Sequence, residues 1–391
     1  MKKHNFISRK TIAIICLLSL VFGALPLTLS ATEYVYDEPL ESEMWLDANF
    51  DDPSTYAYSF AFVGDTQCLM IGDRLNGTNN VERLYKYVAG TAEERKLEHV
   101  FVLGDITEVG YWNDYNMVNA AKDAPVVTEE WEIAQKAIFQ LNGKVKYSLC
   151  RGNHDDYMMD DYFNVPEYTD QFKGVGGFFN DSEAKHPQRR EVRNPEGYIY
   201  WSALSGVHKE SVVNSYMSRE ICGTKYLFVT LDFNPTWNVI KWIDELLPKY
   251  KDHKVIITTH SYLGNQGGLI TTDVGSTMFP MELTAKIFWN EVYSKHENIF
   301  MIVSGHVGGL NLVYNFREGE KGNKVFEVLC NPQVYDAKEI DFDGTIEHGK
   351  QDTGLVLYMN FSEDGKKITF NYYSTLLGKF LKNNNYTFEL D

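Results

Sequence analysis

The run Cys150-Arg151-Gly152-Asn153-His154-Asp155-Asp156 places an amide, an imidazole and carboxylates directly after the apolar stretch Val145 to Leu149. That stretch reads as a buried strand, so its polar sequel sits at the strand's carboxyl end. Four further clusters stand in the same relation to apolar runs. Gly64-Asp65-Thr66-Gln67 follows Ala61-Phe62-Val63, Gly104-Asp105 follows Val100 to Leu103, His260 follows Val255 to Thr259, and Gly305-His306 follows Ile299 to Ser304. Open α/β sheets bind ligands beyond the carboxyl ends of their strands, so five such endings predict convergence on one rim.

Asp65, Asp105, Asn153, His260 and His306 form a mixed oxygen and nitrogen set, which suits zinc, iron or manganese better than calcium or a thiolate site. One bridging carboxylate would make it a pair of adjacent metal positions. Two ions about 3.5 to 4 Å apart generate a hydroxide nucleophile near neutral pH and clamp a phosphoryl group for in-line displacement. His154 is placed as an acid rather than a ligand, because its neighbour Asn153 already points into the site. Protonating a leaving alkoxide is typically worth about 10² to 10⁴ in rate. Asp155 is read as the group that orients that ring and keeps it charged. A single histidine at a strand end is commonly only a hydrogen-bonded core residue, and it is the joint occurrence of five clusters that carries the functional reading. Ser261 beside His260 lacks a Gly-x-Ser-x-Gly setting and is set aside as a nucleophile.

Strand and helix patterns alternate around these clusters. Tyr58 to Val63, His99 to Leu103 and Val145 to Leu149 read as strands. Between them lie a helix capped by Asn79 or Asn80 and ended near Gly90, and a helix from about Thr128 to Gly143. This is the rhythm of an α/β unit with right-handed crossovers. Residues 156 to 218 break it with short aromatic pieces and Arg189, Arg190 and Arg193, and are read as an inserted loop or cap. The arginines are either solvated charge or substrate contacts. A hairpin around Gly223-Thr224 follows, then helices from Val239 to Leu247 and from about Pro280 to His296. From about residue 310 the chain is β-rich. Trp112, Tyr157, Phe178, Phe179 and Tyr262 are candidates for a pocket lining or for core packing.

The chain has 391 residues, 44% of them hydrophobic, which is ample for a buried core. Lys2, Lys3, Arg9 and Lys10 precede an apolar run and then Ser30-Ala31-Thr32. Residues 1–31 therefore read as a signal peptide of a secreted or extracytoplasmic protein, with an uncleaved N-terminal membrane tether as the alternative. Residues 32–54 form an arm, and 55–391 the main domain. Loss of residues 1–30 takes the formal charge from -17 to -21. Such a surface repels polyanions, so nucleic acid is not an expected partner, while metal ions can still reverse the local field for a phosphorylated substrate. The remaining cysteines, Cys68, Cys150, Cys222 and Cys330, are no disulfide framework, although Cys68 and Cys150 flank the site strands and a bridge between them is one possibility. No transmembrane segment is expected after the N-terminal run.

The clusters Gly64-Asp65-Thr66-Gln67, Gly104-Asp105, Gly152-Asn153-His154-Asp155, His260 and Gly305-His306 occur in an order that resembles the calcineurin-like metallophosphoesterase family. The match spans Asp65 to His306, about three fifths of the chain. The resemblance implies an α/β fold, a four-layer α-β-β-α sandwich of two mixed sheets, and hydrolysis of phosphoric esters at a dinuclear centre. It assigns metal binding to Asp65, Asp105, Asn153, His260 and His306, and leaving-group protonation or transition-state stabilisation to His154. Two departures stand out. The family's usual Asp-x-His is here Asp65-Thr66-Gln67, and its final Gly-His-x-His is here Gly305-His306-Val307-Gly308. Both strike the same metal position, leaving Gln67 as an amide ligand there unless water, Asn311 or His348 fills the gap. The expectation is one tight and one labile divalent ion (zinc, iron or manganese) and a phosphorylated small-molecule, lipid or nucleotide substrate. The alternative is a cell-surface binding protein with a degenerate site and little turnover.

Overall fold

The structure is a computed structural model that describes residues 45–46, 52–108, 120–155, 159–181, 186–193, 199–206, 211–233, 235–271, 285–308, 312–333, 353–382 and 385–390. The signal peptide, most of the arm, and Trp112, Tyr157, Asn311 and His348 lie outside them.

Tyr58–Val63 is a strand with every residue buried, the pattern of a strand covered on both faces. It pairs in parallel with Leu97–Val102, which pairs in parallel with Lys146–Leu149. On its other edge it pairs antiparallel with Leu355–Phe361, and that strand with Lys367–Ser374. Lys379–Leu381, Tyr386–Glu389 and Trp45–Leu46 complete this mixed sheet. The β-rich tail is thus no appendage: its last four strands are half of the first sheet, and its first two, Val313–Glu318 and Lys324–Leu329, lie in the second. The second sheet runs in the order Val313–Glu318, Lys324–Leu329, Ile299–Ser304, Lys254–Thr259, Thr224–Thr230, Ser215–Ile221, Gly176–Phe178. Its centre is parallel and its two ends antiparallel.

Because successive strand residues face opposite ways, Phe60 and Phe62 enter the space between the sheets while Ala61 and Val63 face the outer helices. Phe60 meets Phe228 of the other sheet edge-on at 5.4 Å, and Phe62 stacks on Phe101 at 4.9 Å. Each such ring contributes about 1.5 to 3 kcal/mol by burial. The aromatic layer therefore holds both sets of strand ends at one level. Helices Asn80–Gly90 and Ala120–Ile138 cover the first sheet, and Trp237–Leu246 and Ala285–Glu291 cover the second. The result is the expected four-layer sandwich.

Several local expectations are corrected. Asn79 makes no side-chain cap; Asp73 from the preceding helix takes the Asn80 and Val81 N–H groups at 2.6 and 2.8 Å. An acid at a helix N-terminus satisfies orphan donors and opposes the dipole, which an adjacent amide does less well. Gln67–Asn76 is a helix the periodicity did not announce, so Gln67 is its first residue. Residues 156 to 218 are not structureless: they contain Met159–Phe163, Pro166–Thr169, the edge strand Gly176–Phe178 and a separate hairpin, His186–Arg193 with Ile199–Gly206. The first three of these, of three to five residues, are too short to leave a periodic signal. Cys68 and Cys150 are buried free thiols. No helix among the described residues is long and apolar enough to cross a membrane.

Candidate metal centre

The five clusters do meet. Three of their residues, Asp65, Asp105 and His306, adopt left-handed backbone angles (φ 54°, 49° and 72°) that turn each loop back across its strand end. Non-glycine residues rarely adopt this region, where an L residue loses about 1 to 2 kcal/mol. Gly152 before Asn153 and Gly305 before His306 are glycine for a different reason. A Cβ at Gly152 would lie 2.2 Å from the Asp105 backbone N and Oδ1, and one at Gly305 would lie 2.4 Å from Asp65 Oδ2. The Gly-Asn and Gly-His pairs are therefore contacts between loops, with no room for a side chain.

One corner is built by Asp105, Asn153, His260 and His306. His260 is fully buried, and its Nδ1–H donates to the Leu103 carbonyl at 2.7 Å. That fixes Nε2 as the atom facing the site, 3.2 Å from Asp105 Oδ1 and 3.0 Å from Asn153 Oδ1. His306 Nδ1 lies 2.8 Å from the same Asn153 oxygen. Ligand atoms of Asp105, His260 and His306 all fall within 4.8 Å of one another. Lone pairs gathered this closely in a buried place need protons or a cation among them. The field has the matching sign. Burial would lower the His260 imidazole, yet the charges of Asp105 and Asp65 raise it to about 9. Burial likewise opposes ionisation of Asp105, but His260 and His154 hold it well below the usual carboxylate range.

The other corner holds Asp65 and Gln67. Asp65 Oδ1 accepts the His306 N–H at 3.0 Å, while Oδ2 is buried without a partner. Gln67 Nε2 donates to Asp105 Oδ2 at 3.1 Å, and its Oε1 is likewise buried and unpartnered. Burial pushes the Asp65 carboxyl well above its ordinary range, and the Asp105 charge adds to that. Two orphaned oxygens beside the Asp105 carboxylate are the chemistry of a cation position. The residues present fit divalent ions in both corners.

The carboxylate beside the His154 ring differs from expectation. Asp155 does not touch the His154 ring. Its Oδ1 accepts the N–H groups of Ile106 and Thr107, each at 2.8 Å, and its Oδ2 accepts that of Gly152 at 2.8 Å. It clamps the Asp105 loop to the Asn153 loop, and burial, with the Asp105 charge, raises it to about 6. The ring's carboxylate is Glu108, whose Oε2 lies 3.0 Å from His154 Nδ1. Burial alone would lower this imidazole, but Glu108 and Asp105 outweigh it and raise it to about 10. The backbone N–H of His154 donates to Asp105 Oδ1 at 2.8 Å, so the same residue also orients the bridging acid. Glu108 is fixed in turn, its N–H donating to buried Glu130 Oε2 at 2.8 Å.

Arg151 was also missed: it is buried and grips Asp232 through Nε to Oδ1 at 2.7 Å and Nη2 to Oδ2 at 2.9 Å. This two-pronged pair ties the first sheet's motif to the second sheet. Of the candidate aromatics, Phe178 packs on Phe172, Phe179 stacks on Trp242, and Tyr262 is buried with its hydroxyl on Glu327. All three serve the core.

The family profile described as calcineurin-like phosphoesterase matches residues 58–317. A curated relative, "Uncharacterized protein YvnB" of Bacillus subtilis (strain 168), is 20% identical over 285 residues, 72% of this chain. The chain spans 18% of that relative's length. Among solved structures, a dimetal phosphatase from Danio rerio is similar at 10% identity and a TM-score of 0.41, covering 86% of this chain and 100% of that one. Purple acid phosphatase PPD1 from yellow lupin (Lupinus luteus) seeds is similar at 13% identity and a TM-score of 0.42, covering 87% and 55%. With the profile running through every strand that carries a site residue, the chain belongs to the calcineurin-like phosphoesterase family.

Proposed function

We propose that the protein is an exported hydrolase of phosphoric esters, mono- or diesters, that acts with divalent ions. The observation that carries this is the meeting of Asp105, His260 and His306 within 4.8 Å, with the Asn153 oxygen against both imidazoles. Asp105, Asn153, His260 and His306 would hold one ion tightly; Asp65, Gln67 and the shared Asp105 would hold a second more loosely. Bound there, divalent ions supply the charge that polarises a phosphoryl group and makes water a nucleophile near neutral pH.

The chain's own residues do the rest. The side chain of His154 is 23% exposed, so it faces the rim where a substrate must sit. Glu108 keeps its ring charged and fixes Nδ1, leaving Nε2 as the atom to protonate a leaving alkoxide. Asp155 keeps the two central loops in register. Export is supported by the basic flank and apolar run of residues 1–31. The substrate class is a phosphorylated small molecule, nucleotide or lipid headgroup.

The test is turnover of nitrophenyl phosphate monoester and diester by stripped protein reloaded separately with manganese, zinc or iron. Hydrolysis with at least one ion is expected. Folded protein inert with all three would overturn the reading and leave a binding protein on the same fold. Metal analysis after long dialysis is expected to find one retained equivalent, and two at full occupancy would remove the distinction between the corners.

A further inference from the structure

Gly308 differs from the other glycines of the site. Its φ is not in the left-handed region, and a Cβ there would meet nothing closer than Gln333 Oε1 at 3.9 Å and Asn331 Nδ2 at 4.0 Å. Neither backbone nor crowding demands glycine. What stands in front of it is a pair of amides from the turn after Lys324–Leu329.

That pair is preorganised. Asn331 is 4% exposed; its Oδ1 accepts the Gln333 N–H at 3.0 Å, and its Nδ2 donates to Gln333 Oε1 at 3.4 Å. An amide oxygen has two lone pairs, so Gln333 Oε1 keeps acceptor capacity beyond this bond. The turn is wedged between the two loops that matter. The Cys330 N–H donates to the Ser304 carbonyl at 2.7 Å, just before Gly305-His306, and the Cys330 oxygen would lie 2.4 Å from a Cβ on Gly64, just before Asp65. Independently, Asp65 Oδ2 and Gln67 Oε1 are buried oxygens without partners.

We propose that Gln333, positioned by Asn331, supplies the ligand oxygen that completes the second ion position, in the space left by the missing side chain of Gly308. With Asp65, Gln67, Asp105 and Gln333 the donor set is oxygen alone. Such a set takes a hard cation, manganese or magnesium, over zinc, whereas the imidazole corner takes zinc or iron. The centre is then a mixed-metal one, its second member chosen by amides. The proposal rests on the phosphoesterase reading for the existence of two positions.

The test measures Mn²⁺ binding by electron paramagnetic resonance on intact protein first loaded with zinc and dialysed. Wild type is expected to keep one zinc and to bind one Mn²⁺ that magnesium displaces. Gln333→Ala should weaken Mn²⁺ by about tenfold or more with the zinc retained. Gln333→Glu, adding charge to the set, should tighten it by about tenfold. Gly308→His combined with Gln333→Ala should turn the second position to zinc. Unchanged Mn²⁺ affinity in both single variants, with zinc retained, overturns this inference alone. Wild type that retains neither zinc nor iron, and turns over no ester with either, overturns the phosphoesterase reading, and this one with it.

Discussion

The two corners of the site share Asp105 and are otherwise built from opposite materials. Around Asn153, two imidazoles with fixed or shared nitrogens close the corner, and its donors are already drawn together. Around Asp65 the candidate ligand atoms among the described residues are oxygens, two of them buried and unpartnered. Both corners hang on strand ends at one rim and on left-handed turns, of which they share that at Asp105. On the proposed reading, the scaffold sets where ions go, while single side chains at loop tips set how firmly and which.

The comparison can be broken most completely at Asn153. Asn153→Ala is expected to lose the retained ion altogether, read as metal content after dialysis; retention would move the tight position elsewhere. His154→Ala should lower kcat by about 10² to 10⁴ on alkyl phosphates and far less on nitrophenyl esters, whose leaving group needs no proton. Equal losses on both would deny the residue its acid role. Arg151→Ala leaves Asp232 buried without its guanidinium and should cost about 3 to 5 kcal/mol in urea unfolding. The pair Arg151→Met with Asp232→Leu should recover most of that, since well-packed apolar residues replace buried ion pairs at little cost. Glu108→Gln should reduce kcat by about tenfold, and should add nothing to His154→Ala if the two act as one unit. The smallest effect is at Gln67: Gln67→Ala should leave the tight ion untouched and loosen only the second, by a few fold.

Most of this centre was legible because strand-end polar clusters are local signals. An apolar run and the two residues after it are enough to place Asp105 or His306. Glu108 was not legible, since it is one of 54 acids and nothing within its own loop marks it. Its role comes from a fold that brings residues 108 and 154 together. Asp155 misled for the converse reason. Chain adjacency suggested that it served the ring beside it, but a free carboxylate next to three unsatisfied N–H groups turns towards those donors. Asn331 and Gln333 carry no motif, and their meaning depends on what residue 308 lacks. The first sheet's composition was hidden as well, because strand patterns announce strands and not their partners.

The strand that leads to Asp65 lies between Leu97–Val102, made soon after it, and Leu355–Phe361, where Phe60 pairs with Met359. About three quarters of the 391 residues separate that pair. A chain growing from its N-terminus therefore carries this strand with one bare edge until Leu355–Phe361 has been made, a state prone to wrong pairing and slow to resolve. On the proposed reading, ion uptake then waits for that strand: a polypeptide shortened before Leu355 can own every ligand and still lack half of the frame around Asp65.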